Sequence, residues 1–131
     1  MSDGITDSAR EMEATNKLLA RYLGKEVREF TWKHETMLIS KNCDPIIDTR
    51  IIWSDVVWTP NSNWNQLMRV VEKIEEEKTQ VEIVGRECSI FDMDAPYAYF
   101  HRENMMAHDI GTTKIQAVYN ACVEYIKTKK K

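Results

Sequence analysis

Between Asn63 and Asp92 the spacing of apolar side chains changes, and that change limits the available folds more than any other feature. In "NWNQLMRVVEKIE", Trp64, Leu67, Met68, Val71 and Ile74 recur at i, i+3, i+4, i+7 and i+10. A helix turns once in about 3.6 residues, so this spacing places them on one face. Glu72, Lys73, Glu75 and Glu76 fall largely off that face. The following "QVEIVGRECSIFD" switches to alternation. Val81 and Ile83 flank Glu82, the pattern of a strand whose side chains leave on opposite faces. Cys88 and Ile90 continue in the opposite phase, and Gly85 reads as a bulge or bend where the phase switches.

The rest of the chain repeats the contrast. "SAREMEATNKLLARYLG" reads as a helix, with Ser8 and Glu11 at capping-box spacing and Met12, Leu19 and Leu23 on one stripe. Gly24 follows as a C′ residue. In "VREFTWKHETMLIS" the period falls to two, which predicts a strand turning near His34 and Glu35 into a second strand, Thr36 to Ser40. "IIDTRIIWSDVVW" is β-branched and aromatic, and reads as one bent strand or two short ones. Asn63 and Gln66 form a capping box for the middle helix, and Thr113 and Gln116 form one for the last, "GTTKIQAVYNACVEYIKTKKK". Ile115, Val118, Tyr119, Cys122, Tyr125 and Ile126 make the buried face of that last helix. "APYAYFHRE" reads as the hairpin partner of the strand through Cys88. This order predicts an α+β fold, a layered sandwich of an antiparallel sheet with three helices packed against it. Residues 1–10 are expected as a flexible N-terminus and residues 11–131 as a single α+β domain.

Composition excludes several classes. The formal net charge of −3 argues against duplex nucleic acid as the main partner. Lys127, Lys129, Lys130 and Lys131 read as a solvated helix end suited to the dipole. No apolar run approaches the roughly 20 residues of a membrane span. Cys43, Cys88 and Cys122 are an odd count without CxxC spacing, and no secretory leader is evident, so a reducing cytoplasm is expected.

Catalytic and cofactor motifs are missing. His34, His101, His108 and Cys43 lack ligand spacing, so no metal is expected. Asp92 and Asp94 suit a turn before Pro96 better than a shared cation. Cys88 and His101 resemble a nucleophile pair, but Cys88 sits in an apolar alternation and reads as structural. There is no glycine-rich phosphate loop and no GxSxG. The expectation is a protein that binds rather than catalyses, without a cofactor.

Aromatic residues carry the binding expectation. Trp53 and Trp58 lie in the β-rich middle section, and Tyr97, Tyr99 and His101 point to one face of a strand while Ala98 and Phe100 point to the other. Rings of this kind stack flat bases or anchor a protein partner, and Arg50, Arg86 and Arg102 supply forked donors for phosphate. Of the tryptophans either side of "TPNSN", Trp64 shares the middle helix face and is expected in the core. Trp58 ends a strand beside a turn and is expected as the contact residue.

Three blocks, "NKLLARYLG", "NWNQLMRVVEKIE" and "KIQAVYNACVEYIK", resemble blocks in small proteins of phages and prophages of Bacteroidota, similar to the phage ABA-sandwich type. In that group a W-x-x-LM-x-VVEKI helix is followed by a strand and a KI-x-AVY-x-A helix. The resemblance implies a layered fold and a viral accessory protein working in the host cytoplasm, with no catalytic residues to carry over. The section Phe30 to Pro60 departs from it, being longer and more β-rich. On this footing three partners stay open: a host protein, such as a defence factor, antagonised through the aromatic surface; a small nucleotide-like ligand sequestered in a pocket of rings and arginines at a homo-oligomer interface; and virion assembly.

Overall fold

A computed structural model describes residues 3–32, 34–41, 57–93 and 104–129. The chain is α+β, and it divides into two compact units, Met1–Thr59 and Pro60–Lys131. Antiparallel pairing is shared between a two-stranded sheet and a three-stranded sheet.

The first unit opens with helix α1, Asp3–Tyr22. It begins five residues before Ser8, which therefore lies inside the helix rather than at its cap. Its C-terminus follows the expectation. Gly24 has φ +73, the Gly24 N–H donates to the Arg21 carbonyl at 3.0 Å, and the Lys25 N–H donates to the Ala20 carbonyl at 2.8 Å. This pair of bonds is a Schellman motif, and it satisfies carbonyls that the helix end leaves open. Strands β1, Val27–Trp32, and β2, Glu35–Ser40, form a hairpin in which Trp32 faces Glu35 and Val27 faces Ser40. His34 takes φ 71 in the tight turn between them, a conformation the two-residue connection demands. Thr31 and Thr36 stand opposite each other with hydroxyls 3.1 Å apart. Val57 bridges Ile39, and the Trp58 N–H donates to the Leu38 carbonyl at 2.8 Å, so the chain returns alongside β2. Helix α1 packs against β2, and Leu19, Phe30, Leu38, Ile39 and Trp58 are buried.

The second unit starts with helix α2, Trp64–Glu75. Asn63 caps it as expected, its side chain accepting the Gln66 N–H at 3.1 Å. Its buried face is Gln66, Leu67, Val70, Val71 and Ile74. Strands β3, Thr79–Val84, and β4, Glu87–Asp92, pair with Val81 opposite Ile90 and Ile83 opposite Cys88. Gly85 is therefore the first residue of a two-residue hairpin turn, with φ 58, and not a bulge in one strand. The phase switch has a simple origin. Cross-strand partners share a face, and a two-residue turn pairs odd-numbered positions with even-numbered ones. Strand β5, Met105–Ile110, completes the sheet in the order β3-β4-β5, with an irregularity between Ile90 and Phe91. The stretch "APYAYFHRE", which the sequence suggests as the hairpin partner, lies entirely outside the described residues.

Helix α3, Lys114–Lys129, packs on β4 and β5, while α2 packs on β3 and also meets α3. Thr113 accepts the Gln116 N–H at 3.2 Å, and Gln116 reaches back to the Thr112 N–H at 3.2 Å. The return bond of the capping box thus falls one residue earlier than the pattern predicts. Gly111 is required by close approach, since a Cβ there would stand 2.7 Å from the Ala117 nitrogen.

Candidate functional site

The expected binding set is not brought together among the described residues. Trp53, Arg50, Tyr97, Tyr99, His101 and Arg102 lie outside them. Arg86 is exposed in the β3–β4 turn of the second unit.

The two tryptophans exchange the roles expected of them. Trp58 is 2% exposed, and its indole N–H donates to the Asn16 carbonyl at 2.7 Å inside the first unit. Burial with its one polar atom satisfied is the signature of a core residue. Trp64, expected in the core, is 39% exposed. It is the first residue of α2, and helix side chains lean toward the N-terminus. A ring at that position therefore projects past the helix end instead of onto the packed stripe below it.

The two cysteines described are both core thiols. Burial pushes the Cys88 thiol up to about 12, with the Asp109 carboxylate adding to the effect. Burial likewise raises Cys122 on α3. Neither is a thiolate near neutral pH, so neither is activated as a nucleophile. Among the described residues no group of three or more metal-ligating side chains converges. Among the described residues no helix is long and apolar enough to cross a membrane.

The first unit instead presents a basic concavity of about 380 Å³ that sequence reasoning missed. Its lining is Lys17, Arg21, Lys25, Glu26, Val27, Arg28 and Lys41, five cationic side chains and one carboxylate. Four pieces of backbone supply them. The last turns of α1 give Lys17 and Arg21, spaced i, i+4 on one helix face. The Schellman turn sends Lys25 and Glu26 onward, β1 begins with Val27 and Arg28, and Lys41 follows β2. The Lys41 N–H donates to the Glu26 carbonyl at 3.1 Å, which closes the strand ends around the cavity.

Four of the cations have partners of their own. Lys17 Nζ lies 2.8 Å from Glu29 and 3.6 Å from Glu13. Lys41 Nζ lies 3.7 Å from Glu26. Lys25 Nζ stands 5.6 Å from the centre of the Trp58 ring, and the Arg28 guanidinium carbon 5.5 Å from that of Phe30. A cation over an aromatic face is attracted by the ring quadrupole. Glu13, when protonated, can donate to Glu29; this raises the Glu13 pKa above the ordinary glutamate range, and the same bond together with that from Lys17 lowers Glu29. The hydrogen bond Lys17 donates to Glu29 in turn raises the Lys17 pKa, so its ammonium stays charged.

The spacing Lys17, Arg21, Lys25, followed by Arg28, was visible in the sequence as a cationic repeat. By itself the repeat marks no site, because lysines and arginines at a helix C-terminus also satisfy the dipole. Only the hairpin reveals that Arg28 and Lys41 arrive at the same place. Comparisons with known protein families, with curated proteins and with solved structures find no match to this chain.

Proposed function

We propose that the chain is a binding protein for a small phosphate-bearing anion, held in the basic concavity of its first unit. One observation carries this reading: five cationic side chains from four segments surround a cavity of about 380 Å³ in a chain whose net charge is −3. Positive charge gathered in a concave site on an acidic protein focuses the field and raises the local concentration of anions. The volume lies within the roughly 300–1,000 Å³ of small-molecule sites. Arginine presents a planar fork to phosphate oxygens, while lysine acts as a mobile point charge, so the mixed set suits a nucleotide-like ligand.

The chemistry offered is capture, not turnover. The resemblance of the helix blocks to small phage and prophage proteins supports a setting in which such a protein sequesters a signalling nucleotide of the host. A thermal-shift screen of the full chain against linear and cyclic nucleotides tests the reading. A ligand at about 100 times its Kd stabilises the fold by about 2.7 kcal/mol. An Arg21→Ala variant should lose most of that shift. If no nucleotide moves the transition, the proposal fails.

A further inference from the structure

We infer that the concavity reads a chain of phosphates and ignores the base: its ligand class is an oligophosphate, inorganic or carried by any nucleoside. The inference rests on the phosphate-binding reading above and adds to it what the site discriminates.

Base recognition needs an available ring face or directional donors and acceptors aimed at base edges. The described lining offers no available ring face, and its directional groups are the Arg21 and Arg28 guanidiniums, whose forks match phosphate oxygens, and the single Glu26 carboxylate. The two rings beside it are spoken for, since Trp58 and Phe30 are both buried, with Lys25 and Arg28 over them. Among the described lining residues there is no amide or hydroxyl side chain, and the one apolar residue is Val27, too small to hold a base. What the lining does offer is charge from several directions. Arg21 comes from the helix end, Lys25 from the turn, Arg28 from β1 and Lys41 from beyond β2. A single phosphate brings about two negative charges, whereas a run of phosphates brings about one for each of these cations. Lys17 and Lys41 each pair with a carboxylate, and Lys25 and Arg28 each stand over a ring, contacts that limit their freedom before binding. Preorganised side chains lose little entropy on binding, so charge contacts alone suffice for affinity.

Isothermal titration of the full chain, without magnesium and at one low ionic strength, tests this with inorganic tripolyphosphate, the four common ribonucleoside triphosphates, AMP and adenosine. The expected result is that tripolyphosphate and all four triphosphates bind with affinities within about threefold of one another, a spread well under the 1.4 kcal/mol that marks a factor of ten. AMP should bind about tenfold or more weakly, and adenosine should give no heat. Arg21→Gln should weaken tripolyphosphate and every triphosphate by the same factor, whereas Lys127→Gln, at the far end of α3, should change nothing. A spread among the four triphosphates of more than about tenfold, or nucleotide binding that tripolyphosphate cannot reproduce, overturns base-blind reading while leaving an anion pocket in place. Equal losses from Arg21→Gln and Lys127→Gln overturn the placement. No heat from any phosphate compound overturns both this inference and the reading beneath it.

Discussion

Replacing Trp58 and Trp64 separately asks which tryptophan holds the fold. Trp58 is 2% exposed, its indole N–H is bonded at 2.7 Å to the Asn16 carbonyl, and its ring lies under Lys25. Trp58→Ala removes the ring, the indole donor and the cation contact together. Large-to-small changes of a buried aromatic cost about 3–5 kcal/mol, because the cavity left behind closes only in part. Trp58→Phe keeps most of the ring but deletes the donor, and should cost about 2 kcal/mol, a lost buried hydrogen bond plus a small packing defect. Trp64 is 39% exposed at the start of α2, so Trp64→Ala should cost less than about 1 kcal/mol. Urea unfolding followed by circular dichroism separates the three. With a slope of about 2 kcal/mol per molar, a loss of about 4 kcal/mol moves the midpoint by about 2 M, and Trp64→Ala moves it by less than about 0.5 M. A large shift for Trp64→Ala with a small one for Trp58→Ala would refute the packing described here and restore the roles the sequence suggested.

The remaining predictions concern single positions. Gly24→Ala must place a Cβ at φ +73 with open space around it, so it should cost only the backbone penalty of about 1–2 kcal/mol; Gly111→Ala instead drives a Cβ to 2.7 Å from the Ala117 backbone nitrogen and should lower the melting temperature further than Gly24→Ala does. Carboxyl NMR should show Glu13 titrating above the ordinary glutamate value and Glu29 below it. Because folding raises Glu13, its contribution favours the folded state below the unfolded-state pKa and is lost as pH rises through the raised value. Glu29, lowered on folding, contributes above its unfolded-state pKa and loses this as pH falls through the lowered value. The reverse order of titration would contradict the hydrogen bond between the two carboxyls. Cys88 and Cys122 should resist iodoacetamide in the native protein at pH 8 and react once the chain is unfolded in guanidinium; peptide mapping that finds native labelling at either would contradict their burial.

Much of the fold was legible because local chemistry and tertiary packing agree. Gly24, Asn63 and Thr113 mark helix ends through backbone and capping geometry that depends on nearby residues alone. The alternation through Val81 and Ile83 survives as β3 because its apolar face is needed against α2. Other features depended on contacts between distant residues. Gly85 reads as a bulge or bend in one strand because a phase switch within one strand and a two-residue turn between two strands leave the same sequence pattern. Strand β5, in "MMAHDI", has little β-branched content, and pairing with β4 decides its conformation. Trp58 looked accessible beside a turn because nothing local announces the Asn16 carbonyl, 42 residues earlier in the chain. The concavity was hidden for the same reason. Lys17, Arg21 and Lys25 are a local repeat, but Arg28 and Lys41 join them only when β1 and β2 pair.

The basic concavity as a phosphate site is the central claim, and amide chemical-shift mapping tests it most directly. Tripolyphosphate titrated into the ¹⁵N-labelled full chain should move the signals of Arg21, Lys25, Arg28 and Lys41 together along one saturating curve, while those of α3 from Ala117 to Ile126 stay in place. An unchanged spectrum, or saturating shifts confined to residues outside Lys17–Lys41, would contradict it.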